Sequence, residues 1–433
     1  MKIRYFYENQ KHIRTIHNEL YERSNTMRSS LGFHTMTITL ATNGNTAKEL
    51  IMDFKRYETK TNLIKMYHLN EEKKSIPFNL PKDSNFLIPM TLKIYYKNYN
   101  GITWIIRSAI QNNSINYFFI EAKINPKMLI NKHDYIIAAT YDDMDTVIKN
   151  FNLEASKISD LLENFDCYAI TRIDYCINFD LDELTDKCSP ELLIELIKRG
   201  NIPHSYTEWE IYDKTAHRKK SQPGSFYLIN NSVIINCYSK YMQLLDRSKR
   251  NKEKGYDPVP QKTLDAARNV IRFEVQYKYH KVYTISKEAE RAGNHKVNKY
   301  ESLLTHEYCR DVIHSYYNKI ITGGNWYTLE EAIRWVKFGH FNRQKEIRLI
   351  NTLQLINQCR SVEKAKNNYS DHNLVIFKQT LKYLSSLGIN PVTIPKDREV
   401  NYIPNLLYAY HNKVKDEEFM LECFKEYFHS HRK

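Results

Sequence analysis

Apolar and polar residues alternate along His34–Thr42 (HTMTITLAT), which predicts a strand; Asn43-Gly44-Asn45 predicts a turn and Ala47 to about Arg56 a helix. Alternation resumes at Thr91–Lys97 and Ile102–Ala109, flanking Asn98-Tyr99-Asn100-Gly101, whose Asn-Gly ending favours a tight hairpin. Asn112-Asn113-Ser114 predicts the next turn and Tyr117–Ile124 a third strand, so this stretch reads as an antiparallel meander. A helical period follows from Asp142 to about Phe165 through Val147, Ile148, Phe151, Ala155, Ile158 and Leu162. Strands are expected at Ala169–Phe179, Ser225–Leu228, Val233–Tyr238 and Val270–Tyr277, with helices at Glu191–Lys198, behind the Ser189-Pro190 cap, and at Ser239–Asp246.

Past about Tyr283 the period is helical throughout. Thr328 and Glu331 form a capping box, Ile347–Asn357 presents an apolar face, and Ser361 caps a short helix, so Glu346–Lys366 reads as a candidate helix-turn-helix. A plain helical bundle fits the same periodicity, because a period reports the buried face and not what the other face touches. A further stripe, Leu374, Phe377, Leu381 and Leu384, stops at Gly388. Lys11–Glu22 reads as a short helix and Tyr57–Pro81 as a polar connection or lid. The order predicts an α+β fold, an antiparallel β-sheet palm with helices on one face, followed by an α-helical C-terminal domain. The expected division is an N-terminal α/β segment over 1–85, part of the palm or a DNA-contacting extension, then 86–285 and 286–433.

Composition narrows the partners. The 433 residues suffice for two cores, and 42% hydrophobic residues with 11 Gly and 12 Pro suit a folded chain. The seven cysteines are scattered without a CxxC pair, which suits free thiols in a reducing compartment. Nothing resembles a membrane span or a signal peptide, so a cytoplasmic protein without a membrane partner is expected. A net charge of +14 attracts polyanions, of which nucleic acid is the commonest, and 33 tyrosines can support base stacking. A basic surface without a specific partner, and tyrosines that only pack in strands, account for the same counts.

Three strands carry acids inside apolar runs: Glu121 in FFIEAKINP, Asp174 in ITRIDYCINF and Glu274 in NVIRFEVQ. Side by side, three carboxylates repel unless a cation sits among them, and all-oxygen donors favour Mg²⁺ or Mn²⁺. Asp174 and Glu274 are the expected metal pair, with Glu121 as the third ligand. Alternatively, each acid pairs with a base two residues before it, Arg172 or Arg272. Lone histidines such as His133 or His204 suit solvated or capping roles, and His429-Ser430-His431 lies in a polar tail. Between the acidic strands, Gly224–Lys240 offers Tyr227 and Tyr238 as nucleophiles, with Lys240 on the face of Tyr238. A phenol titrating near 10 needs a neutralised phosphate to attack at neutral pH. Basic segments on either side, His217–Lys220 (with Arg218, Lys219 and Lys220) and Arg247–Lys254 (with Lys249 and Arg250), are candidate phosphate contacts, read as loops.

FIEAKINPKML, ITRIDYCINF, FYLINNSVIINCYSK and VIRFEVQ, in this order and spacing, resemble the set found in rolling-circle replication initiators. The resemblance is to filamentous-phage gene II/X-type replication proteins and related Firmicute mobile-element proteins, and more distantly to Rep_trans plasmid initiators and conjugative relaxases. LGINPVTIP (Leu387–Pro395) resembles the C-terminal part of the Firmicute members, and Thr91–Tyr277 carries most of the likeness. It implies a metal-dependent endonuclease that nicks and rejoins DNA at the origin of a plasmid, phage or integrative element. Its tyrosine would be left on a 5′ phosphate, with a host helicase as a further partner. By the same likeness Asp174, Glu274 and Glu121 match the acidic positions, Tyr227 the tyrosine before a turn and Tyr238-Ser239-Lys240 the Tyr-x-Lys segment. Tyr227 is favoured as nucleophile and Tyr238 is the alternative. The chain departs from the plasmid initiators where they carry Gly-Ser-Arg, having Ile229, Asn230 and Asn231 there. Arg172 and Arg272 are expected at the DNA. Two other readings remain: a DNA-binding protein without chemistry, and a metal-dependent nuclease that activates water.

Overall fold

The structure is a computed structural model that describes residues 29–69, 75–77, 91–111, 114–131, 136–185, 188–208, 210–213, 218–221, 224–253, 257–293, 299–369 and 373–415. The helix expected at 11–22, His133, His217, Lys254 and His429–His431 lie outside these residues.

Eleven strands form one sheet, antiparallel at every ladder. In chain order they are β1 (Ser30–Thr42), β2 (Ile64–Leu69), β3 (Ser75–Pro77), β4 (Thr91–Tyr96), β5 (Ile102–Gln111), β6 (Ser114–Ile124), β7 (Ala169–Asp180), β8 (Thr207–Glu208), β11 (Ser225–Ile229), β12 (Val233–Ser239) and β13 (Val270–Tyr277). Two short strands between them, β9 (Glu210–Asp213) and β10 (Arg218–Ser221), pair separately. Across the sheet the order is β3-β2-β4-β5-β6-β1-β7-β13-β12-β11-β8. The fold is α+β with a helical C-terminal region, as the sequence pattern predicts.

The main helices are α1 (Gly44–Thr61), α2 (Met144–Ser156), α3 (Pro190–Lys198), α4 (Lys240–Glu253), α5 (Tyr279–Arg291), α6 (His306–Ile320), α7 (Leu329–Phe338), α8 (Arg343–Cys359), α9 (Val362–Asn367) and α10 (Leu374–Ser386). One core gathers Met36, Ile120, Ile173 and Phe273 of the sheet with Phe54 of α1, Phe151 of α2, Leu193 of α3 and Tyr317 of α6. Burial of that face is the main contribution to stability. The opposite face is partly covered by α4, whose Leu244 packs on Val270, with Val259 and Leu264 beside it. Ser189 accepts the N-cap hydrogen bond of α3, as its sequence pattern predicts, and Asn43, read as a turn residue, accepts that of α1, which starts at Gly44.

Several expectations are corrected. The stretch read as a connection holds β2 and β3; Ile64 and Met66 are buried on alternate positions, a two-residue signal diluted by Lys65 and His68. The helix expected as far as Phe165 ends at Ser156, and turns fill the interval. Arg247–Glu253, read as loop, continues α4, because no breaker interrupts the helix before the segment. Thr328 occupies the N-cap of α7 without a side-chain cap bond, so the expected capping box is not formed. Strand β1, expected from His34, begins four residues earlier at Ser30 and lies between β6 and β7. Its Gly32 lets the chain cross against residue 139: a Cβ there would stand 1.9 Å from the Ala139 carbonyl oxygen.

At the C-terminal end, α8, the left-handed Arg360 and α9 make a helix, a turn and a second helix, with the Ser361 hydroxyl accepting from the Lys364 amide. Ile356, Val362 and Ala365 join the main core, while Ala332, Val336, Leu349, Leu353 and Leu384 form a satellite cluster.

Candidate functional site

A strand's side chains alternate, so one face of this sheet is apolar and the other is not. On β7, Ile173, Tyr175, Ile177 and Phe179 enter the core, leaving Arg172, Asp174, Cys176 and Asn178 on the opposite face. On β13, Phe273, Val275 and Tyr277 do the same, leaving Arg272, Glu274 and Gln276. Gln276 is paired with Asp174 and Cys176 with Glu274, so the two acids stand diagonally across neighbouring strands. Tyr227 of β11 and Asn236 of β12 belong to the same face.

The register of β1 shifts between Phe33 and Thr35, a bulge that presents both His34 and Thr35 to this face. The result is a cavity of about 380 Å³ lined by His34, Thr35, Lys123, Arg172, Asp174, Tyr227, Asn236, Glu274 and Gln276, with Met242, Gln243, Asp246 and Arg250 from α4.

Within it, Arg172 grips Asp174 with both arms of its fork, Nε to Oδ1 at 2.9 Å and Nη2 to Oδ2 at 2.7 Å. The same Nη2 donates to Gln276 Oε1 at 2.8 Å. Thr35 Oγ1 donates a short hydrogen bond to Asp174 Oδ2. Glu274 Oε1 lies 2.7 Å from His34 Nδ1.

The two acids are held apart in titration. Burial pushes the Asp174 carboxyl up from its usual range, with Arg172 pulling the other way. Burial would raise Glu274 too, but His34, Arg272 and Lys240 together hold it at about 2. Burial, aided by Arg272, lowers His34 to about 4, so it is a neutral imidazole at pH 7. Burial raises the Tyr227 phenol, against the pull of Arg172. Oppositely displaced acids in one pocket are the pattern of a site that moves protons.

These shifts predict acid sensitivity. His34 titrates lower in the folded chain than in the unfolded one, so the unfolded state binds the extra proton between pH 6.5 and about 4, and stability falls as pH drops through that window. Glu274 acts in the same direction below pH 4.5, while Asp174, being raised, acts oppositely. Urea unfolding across pH 4–7 should show a loss of up to about 3 kcal/mol that His34→Asn largely removes. An equal slope in parent and variant would contradict it.

The predicted residues divide by depth. Both tyrosines line the pocket, at different depths: Tyr227 is partly exposed, whereas Tyr238 is buried against Arg272, which lies directly opposite it on β13. Burial raises the Tyr238 phenol well above 10. Lys240 is also buried, and burial with the nearby Arg272 lowers its pKa well below the usual lysine value, so it is not a surface cation. Arg272 is fully buried, with Nε donating to Asn178 Oδ1 and Nη2 to the Ile136 carbonyl, and cannot meet DNA as expected. Glu121 is away from the other acids: it lies opposite Thr39, ion-paired with Arg107, and Lys123 two positions along reaches the pocket instead. Of the basic segments, Arg250 lines the pocket and Lys249 is exposed on α4. Arg218, Lys219 and Lys220 lie on β10, with side chains outside the described part. His34, Thr35, Lys123 and Gln276 were not anticipated.

The donors do not fit the expected Mg²⁺ or Mn²⁺ as they are placed. Asp174 is engaged through both oxygens, Glu274 is taken by His34, Glu121 is elsewhere, and among the described residues no three His, Cys, Asp or Glu side chains group to hold a metal ion. Titrating Mn²⁺ into the DNA-free protein is therefore expected to leave its unfolding midpoint unchanged, since only a ligand bound to the folded state raises it. A rise that grows with Mn²⁺ and is lost in Asp174→Asn would overturn this.

Among the described residues, no helix is long and apolar enough to cross a membrane. No protein-family model matches the chain, and no curated protein does. Among solved structures, the rolling circle replication initiator protein from Geobacillus stearothermophilus overlaps 61% of this chain and 80% of its own, at 10% sequence identity and a TM-score of 0.23. At that TM-score the overlap carries no weight for the chemistry, which rests on the pocket's own geometry.

Proposed function

We propose that this protein cuts one strand of DNA at a specific site and rejoins it through a phosphotyrosine on Tyr227. The observation that carries the reading is a partly exposed phenol on the same pocket face as a guanidinium and two carboxylates with opposite pKa displacements. Arg172 and Lys123 offer positive charge to the scissile phosphate, and the pocket's position on a rigid sheet preorganises it.

In the cut, Tyr227 Oη forms a bond to phosphorus as the bond to the 3′ oxygen breaks. The phenolic proton passes to the Asp174 carboxylate, which hands it to the departing 3′ oxygen as that bond breaks. Glu274 stays ionised and holds the His34 imidazole in place through Nδ1. One phosphodiester is exchanged for another, so the reverse step rejoins the strand without ATP. A role in starting rolling-circle replication or transfer of a mobile element follows from the sequence resemblance, and the exposed cations of the helical region suit duplex DNA beside the nick.

The test is supercoiled DNA carrying the element's own origin, treated with the protein and run under denaturing conditions. A nick with protein on the 5′ end supports the reading. Free ends mean a nuclease that uses water. Binding without cleavage means that the Arg172–Asp174 ion pair is structural, which is the second reading that this pair favours.

A further inference from the structure

Strand β13 leaves the pocket at Gln276, and three residues later Tyr279 opens α5. Three residues span at most about 10 Å, so α5 starts at the end of the strand that carries Glu274 and Gln276, with its Val282 in the core on the sheet's other face. There, Val282 and Ser286 face inward, and Tyr279 and Tyr283, four apart, face outward at 57% and 49% exposure. Their rings are nearly parallel, at 20° with centroids 5.9 Å apart. Large apolar rings held exposed, one above the other, have no partner in the described chain beyond each other, His280 and the Lys287 amine.

The charges along the first turns of α5 have one sign. From Lys278 to Lys287 the sequence carries Lys278, Lys281 and Lys287, and the first acid is Glu288. Lys319 of α6 adds a fourth cation over Tyr206 and Tyr316. Glu208 lies in a recess with Lys278 and Asn230, where the Lys278 amine donates to the Asn230 carbonyl at 3.1 Å. Lys287 is shared with Glu290.

We infer that the start of α5 is a stacking platform for single-stranded DNA, with Tyr279 and Tyr283 taking two unpaired bases and Lys278 and Lys281 their phosphates. It rests on the proposed nicking reading for its ligand. Single strands fit because their bases are free to lie on a ring, whereas duplex bases are already stacked on each other. Lysines with no intervening acid complement a phosphate chain better than an apolar or acidic partner.

The probe is a labelled oligothymidylate of about 16 nucleotides, read by anisotropy on the full chain. Tyr279→Ala/Tyr283→Ala is expected to weaken binding about thirtyfold or more, while the double Phe variant, which keeps both rings, stays within about threefold of the parent. Replacing Lys278 and Lys281 by Gln should lower the salt slope by about 0.7 per lysine. Parent-like binding by the Ala variant, or an equal loss on duplex of the same length, overturns the platform. Covalent adduct formation on origin DNA is scored separately. No adduct together with ring-dependent binding removes the nicking reading and leaves the platform; an adduct with ring-independent binding does the reverse.

Discussion

Tyr227→Phe is expected to abolish the covalent protein–DNA adduct, with the nicking rate falling by roughly 10⁴ to 10⁶ fold, as for loss of a nucleophile elsewhere. The substitution removes one oxygen from a partly exposed ring and leaves the sheet packing intact, so binding of origin DNA and the thermal midpoint should hold. Tyr238→Phe is the control. That ring lines the same pocket but is buried against Arg272, and burial drives its phenol up, so its loss is expected to be felt in stability and not in adduct formation. Mass spectrometry of the DNA-linked peptide decides between them. An adduct on Tyr238, or one that survives Tyr227→Phe, rules out the assignment.

Arg272→Met should destabilise the fold by about 3–5 kcal/mol, measured by urea unfolding at pH 7. Arg272 is wholly buried and ties Asn178 of β7 to the Ile136 carbonyl, and Asn178 in turn donates to the Ser30 hydroxyl of β1 and to the Ile136 carbonyl. Its removal strands those acceptors and takes away one of the cations that hold Glu274 ionised. Arg272→Lys keeps the charge and loses the fork, so an intermediate loss is expected. A change below about 1 kcal/mol for the Met variant would show that the network carries little of the stability.

Much of the fold was legible because it is locally written. Strand β13 begins and ends where the pattern predicts, and β7 is only one residue longer, since alternation over that many residues has one reading. Ser189 before Pro190 marked the start of α3, and Gly388, at φ 71, lies just beyond the end of α10. The site was legible in part: Asp174, Glu274, Arg172, Tyr227 and Tyr238 line one pocket, as their strands and phases suggested. His34 was missed because it lies in a strand whose alternation points it inward; only the bulge at Phe33–Thr35 turns it toward Glu274, and no residue pattern announces that.

The sequence by itself determined which residues alternate, and so which share a face of their own strand, together with the positive charge and the supply of acids and phenols. Tertiary structure decided which strands are neighbours. By inserting β1 between β6 and β7, it put Glu121 two strands from Asp174, where Glu121 pairs with Arg107, and it buried Arg272 and Lys240 while leaving Tyr227 more exposed than Tyr238 on the pocket wall. The physical reason is that alternation is set by the backbone within one strand, whereas pairing, register and depth are set by contacts between segments far apart in the chain.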